Sequence, residues 1–175
     1  MNNFKQFAIQ FIGMKEGMHE LKYTIDNFFF KNIEYSVIKN GEFDVTVYFE
    51  KQSRLFNVEI EFSGKVTSTC DRCLAGIQLP ISGSEQLIVK FSEEPRDEFD
   101  IVYLPMKAVE INLARYIYEF IALSLPITRV YDCKNDKPIP CDLETLSKLE
   151  ENRNIEIEEN QTNPIWESLK NKFDN

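Results

Sequence analysis

The sequence predicts an α+β fold: an antiparallel β-meander sheet with one main helix packed on it and a short C-terminal helix. Three observations predict it. Two runs between residues 43 and 62 alternate apolar and polar with period two. A run between residues 109 and 123 changes to a period of three and four. A proline-opened amphipathic pattern closes the chain. With 175 residues, 43% hydrophobic and 13% aromatic, the chain can fill one core, which excludes a wholly disordered protein.

The elements follow in order. Phe7 to Ile12 is a short apolar cluster with strand character, and His19 to Ile25 alternates as a second strand. Phe43, Val45, Val47 and Phe49 alternate with Asp44, Thr46 and Tyr48. Phe56, Val58, Ile60 and Phe62 alternate with Asn57, Glu59 and Glu61. The polar link Lys51-Gln52-Ser53-Arg54 joins these runs into a hairpin with one buried face. A third run from Glu85 to Phe91 puts Leu87, Val89 and Phe91 on one side. Links this short imply antiparallel neighbours, because parallel pairing needs a long crossover.

A helix is expected over Leu113 to Leu125, its apolar face built from Val109, Leu113, Tyr116, Ile117, Phe120 and Leu123. Asn112 is its expected cap, and Pro126 its stop. Asp142 to Glu151 reads as a short polar helix. We divide the chain into a single α+β domain over 1–150 and an acidic linker with a C-terminal docking helix over 151–175. That last helix opens at Asn163-Pro164 and carries Trp166, the single tryptophan. It reads as docking either on the chain's own sheet or on a partner.

Charge narrows the function. The formal net charge is −9, and the first ninety residues are nearly balanced with 10 basic and 11 acidic side chains. The remaining residues carry 10 basic and 18 acidic, with acidic patches at Glu93 to Asp100 and Glu150 to Glu159. Both patches read as solvated loop or linker. Such a balance disfavours a broad RNA-binding surface, since phosphate binding gains from neutralising cations. No apolar stretch approaches a membrane span, and Met1 to Lys5 lacks a signal-peptide pattern, so a cytoplasmic protein is expected.

Four cysteines carry the remaining chemistry. Cys70-Asp71-Arg72-Cys73 has the spacing with which a tight turn aims two thiolates at one metal. Cys133 and Cys141 bracket a seven-residue, proline-containing loop and would complete a closed, structural four-thiolate zinc site. The alternatives are a redox pair and four reduced thiols packed as small hydrophobes. The redox pair is disfavoured because Leu74 to Pro80 is too short and broken for the helix such a site needs. His19 has no evident catalytic partner, and no nucleophile-elbow or phosphate-loop motif occurs, so no enzyme is expected. Lys65, Arg72 and Lys90 near the first pair, with Arg129, Lys134 and Lys137 near the second, form a candidate basic patch for nucleic acid or another partner.

The strand ending in Gly64, then Cys70-Asp71-Arg72-Cys73-Leu74, resembles the YceD family of large ribosomal RNA subunit accumulation proteins. Ile111-Asn112-Leu113 is similar to the family's I-D-L helix start, with Asn112 in place of Asp. Leu123-Ser124-Leu125-Pro126 resembles its L-x-L-P, and Asn163-Pro164 to Leu169-Lys170 its C-terminal ending. Tyr131 stands near a position where many relatives have His, and the second cysteine pair is wider than the compact pair of other relatives. The resemblance covers about residue 20 to 172. It implies a bacterial, non-enzymatic factor for accumulation of large-subunit (23S) ribosomal RNA, binding the RNA precursor, a basic ribosomal protein, or both. The competing readings are a zinc-stapled protein adaptor with no ribosomal role and a thiol redox protein.

Overall fold

A computed structural model describes residues 4–94, 97–98, 101–131 and 140–153. A turn of 3-10 helix over Lys5–Phe7 leads into strand β1 (Ala8–Gln10), followed by β2 (Gly17–Ile25) and helix α1 (Asn27–Lys31). Next come β3 (Asn40–Lys51), β4 (Leu55–Thr69), β5 (Gly76–Ser92), β6 (Asp97–Glu98), β7 (Ile101–Pro105) and β8 (Glu110–Asn112). Helices α2 (Ala114–Leu123) and α3 (Leu143–Arg153) complete the described elements. Six strands form one sheet in the order β2-β3-β4-β5-β7-β6, and β1 pairs β8 in a small second sheet.

The alternation found in the sequence sets the sheet's two faces. Phe43, Val45, Val47 and Phe49 of β3 are buried, as are Phe56, Val58, Ile60 and Phe62 of β4. The pairs Phe43↔Gly64 through Lys51↔Phe56 hold the hairpin in antiparallel register. A slip of one residue would turn both apolar rows to solvent, so the core fixes that register. Phe29 and Phe30 of α1 close one end of the core, where Phe30 meets Phe43 at 6.0 Å between ring centres. Phe11 closes the other against Phe56 at 4.9 Å.

The antiparallel meander needs correction at its far edge. β5 and β7 run parallel, Ile88↔Ile101 to Ser92↔Pro105, with β6 antiparallel outside β7. The chain leaves β5, passes through β6, and returns by a hairpin that inserts β7 between them. Asp97–Glu98, expected in solvated loop, therefore forms a short strand. β5 also begins at Gly76, well before the expected Glu85. Along this long strand β7 covers only Ile88 to Ser92. Pro80 thus lies where β5 is an edge strand, where its missing N–H costs least. Gly83 faces Phe62, whose ring leaves no room for a Cβ there.

The main helix is present, and its buried stripe keeps Leu113 and Ile117 of the expected face, with Tyr116 and Phe120 packed partly buried against the core. Ala114, Ile117 and Ile121 face the core, together with Leu113 ahead of the first turn. Val109 lies outside the helix and Leu123 is 82% exposed. Residues 110–112, expected to lead into the helix, instead pair with β1. Leu113 holds the N-cap position without a side-chain bond, and the Asn112 side-chain oxygen, one residue earlier in β8, accepts from the Ala114 N–H at 3.0 Å. The short polar helix is α3, capped by Asp142 and running past the boundary at residue 150. The linker beyond Arg153 and the helix at Asn163 lie outside the described residues.

Candidate functional site

The long β4–β5 hairpin ends on the cysteine turn. Thr69↔Gly76 is its last pair, so residues 70–75 form the loop. The Cys70 N–H donates to the Ala75 carbonyl at 2.8 Å, and the Leu74 N–H donates to the Cys70 carbonyl at 2.9 Å. Leu74 takes a left-handed φ of 60° to close the turn and leaves its side chain 74% exposed. Cys70 and Cys73 are free thiols, both buried.

Burial by itself pushes the Cys70 thiol up. The backbone N–H groups of Tyr131, Cys73 and Arg72, with the Cys73 side chain, outweigh it and hold the thiol down to about 7. Amides aimed at a sulfur favour its anion, so the turn is shaped for a thiolate. A soft thiolate inside a closed turn is a metal ligand by type.

Residues distant in sequence hold this turn. The Asp71 N–H donates to the Arg129 carbonyl at 2.8 Å, and the Arg129 N–H donates back to Asp71 Oδ2 at 2.7 Å. Arg129 Nη1 reaches Ser68 Oγ at 3.3 Å. Arg72 shares a surface hollow of about 450 Å³ with Leu146, Leu149 and Glu150 of α3. The turn, the segment at Arg129 and helix α3 therefore lie together. Cys141 is buried at the foot of α3 and is disulfide-bonded.

The predicted site residues divide accordingly. Cys70, Cys73, Arg72 and Arg129 are brought together. Lys65 is exposed on β4 opposite Pro80, five residues and about 16 Å before Cys70 at the strand rise. Lys90 pairs with Leu55 at the far end of the same hairpin, so it does not join the patch. Cys133, Lys134 and Lys137 lie outside the described residues. Among the described residues, no group of three or more His, Cys, Asp or Glu side chains is placed to hold a metal. The sequence reading missed the Asp71–Arg129 clamp and the Tyr131 amide, whose partners stand some sixty residues apart with no local signal.

Among the described residues, no helix is long and apolar enough to cross a membrane. Comparison with family models finds a match over residues 58–171 to the family described as large ribosomal RNA subunit accumulation protein YceD. No curated protein and no solved structure matches the chain.

Proposed function

The chain belongs to the YceD family of large ribosomal RNA subunit accumulation proteins, and from that premise we propose a non-enzymatic assembly factor that acts by holding a basic protein partner. The family's description names large ribosomal RNA subunit accumulation, which supports a role in assembly. The observation that carries the protein-mediated reading is the net charge of −9. A chain so acidic is repelled by RNA phosphates at long range and attracted by basic ribosomal proteins, whose encounter its field speeds. Any direct contact with precursor RNA falls to the local cations, Arg72 and Arg129 at the cysteine turn, with Lys65, Lys134 and Lys137 as further candidates. A cytoplasmic site of action goes with this reading, since a factor for ribosomal RNA works where subunits are assembled.

Depletion of the protein in its own cells tests this reading. The ratio of large- to small-subunit ribosomal RNA is expected to fall selectively. An unchanged ratio with depletion verified would remove the ribosomal role and leave the adaptor reading.

The amide cage around Cys70 favours a structural zinc ion as a second element of the proposal. Cys70 and Cys73 would supply two thiolates, and Cys133 and Cys141 the others once the Cys141 disulfide is reduced. Zinc held so would staple the hairpin turn to the segment ahead of α3, without an open position for water.

A further inference from the structure

The solvent face of the large sheet is covered by no element described, and it has a definite chemistry. Two cross-strand rows define it: Lys22, Thr46, Glu61 and Ser84, then Glu20, Tyr48, Glu59 and Gln86. Asp44 and Glu50 flank these rows on β3. Lys22 is bound to Glu20 at 2.9 Å. Among the described residues, Asp44, Glu50, Glu59 and Glu61 form no ion pair. Glu50 accepts from the side chains of Asn57 and Gln52, Glu59 from Ser84, Asp44 from Thr24 and Glu61 from the Tyr48 phenol. A carboxylate has about four acceptor positions, so these oxygens retain capacity.

The face is also hollowed. Ser63, Ser82, Gly83 and Ser84 are small, and they floor a depression of about 460 Å³ walled by Asp44 and Glu61. A second depression of about 300 Å³ lies beside Tyr48, Glu50 and Glu59. Glu61, then partial burial and Glu20, push the Tyr48 phenol above its ordinary range, which reports the negative field there.

We propose that this face is a docking surface for an extended, Lys/Arg-rich polypeptide segment. The proposal rests on the basic-partner reading above and gives it a location. Residues i and i+2 of an extended chain lie about 6.7 Å apart, the same step that separates Glu59 from Glu61 along β4. Alternate cations of a bound segment therefore meet successive carboxylates and drop into the two depressions. Tyr48 between them offers its ring to a cation. Charge excludes the other occupants: a second copy would bring its own carboxylates against these, and RNA its phosphates.

Fluorescence anisotropy with a labelled 12-residue peptide alternating Lys and Thr tests the surface at low salt. The variant Glu59→Lys/Glu61→Lys is compared with Glu150→Lys/Glu151→Lys on α3, which changes the net charge equally. The sheet variant is expected to bind about tenfold more weakly, the sum of lost attractions and new repulsions at exposed pairs, and the α3 variant within about twofold. Should the lysine variant lose its circular dichroism spectrum, Glu59→Gln/Glu61→Gln decides, with about threefold loss expected. Equal loss in the two reversal variants or undiminished binding by the sheet variants overturns the surface. Failure of the unaltered protein to bind the peptide overturns it too, and the depletion experiment then decides separately whether the ribosomal role survives.

Discussion

Gly64 sits where the β3–β4 hairpin is tightest. A Cβ built there would overlap the Glu42 carbonyl and come within 2.6 Å of the Phe43 ring and 2.7 Å of the Phe43 Cα. Two of these obstacles are backbone, so neither can rotate aside. Gly64→Ala is expected to destabilise the fold by about 3 kcal/mol, the upper range of overpacking. Gly76, at the start of β5, has nothing within 4 Å of the same position. Gly76→Ala should be neutral or stabilising by up to about 1 kcal/mol, because it restricts the unfolded chain. Urea unfolding of the two variants checks the contrast. If both prove neutral, the close approach of β3 to β4 at Gly64 is wrong. The sequence marked Gly64 only as a strand end. Its real role depends on a neighbour across the hairpin, which no local pattern records.

Helices carry the next set of expectations. Ile117 is fully buried on α2, while Leu123 on the same helix is 82% exposed. Ile117→Ala should cost about 3 kcal/mol, and Leu123→Ala within about 0.5 kcal/mol. Equal losses in thermal or urea unfolding would restore the face read from spacing alone. That face held at Leu113, Tyr116, Ile117 and Phe120 and failed at Val109 and Leu123, and at its start for a physical reason: the residues after Val109 form a strand because β1 offers unpaired backbone groups. Strand β5 was half legible for a similar reason. Leu87 and Val89 alternate visibly, whereas the stretch through Pro80 and Gly83 is tolerated only because of its edge position and the Phe62 ring. The β3–β4 hairpin was fully legible, since two long alternating runs and a short polar link leave one arrangement. α3 offers a pH test. The Asp142 carboxylate accepts from the hydroxyl of Thr145 at 2.7 Å and from the Glu144 and Thr145 N–H groups. These bonds, the Thr145 hydroxyl first, hold its carboxyl below the usual range. A depressed folded value stabilises above the unfolded value and is lost as pH falls through the folded one. Protection of the amides in residues 143–148, taken relative to their intrinsic exchange at each pH, should therefore fall below about pH 4, the ordinary Asp range, while the sheet stays protected. No change between pH 6 and pH 3 would mean that the cap does not hold the helix.

At the scale of the whole molecule, the sheet and the cysteine turn have different supports. Strands β2 to β5 enclose the apolar rows of residues 43–62, and Cys70 and Cys73 join the same hydrophobic core at the turn. The turn also depends on contacts from Arg129, Tyr131 and α3, which the chain reaches only after the rest of the sheet. The C-x-x-C spacing was legible because two ligands in one turn are a local matter. The clamp on it was not, because Asp71 and Arg129 meet only once the hairpin is built. This separation makes metal removal informative. Zinc bound to reduced thiolates contributes its binding energy as folding energy, about 10–16 kcal/mol for isolated structural sites. Here that energy would fall on the turn and its neighbours. The reduced protein, purified with zinc present, should hold one ion per chain, and Cys70→Ser/Cys73→Ser none. Stripping the ion with a strong chelator should quicken amide exchange at residues 70–75 and 143–153 and leave residues 43–62 unchanged. Exchange lost evenly across the chain would make the metal a staple of the whole fold. Absence of zinc from the reduced protein would leave Cys70 and Cys73 as buried thiols, and the turn would owe its shape to the Asp71–Arg129 clamp alone.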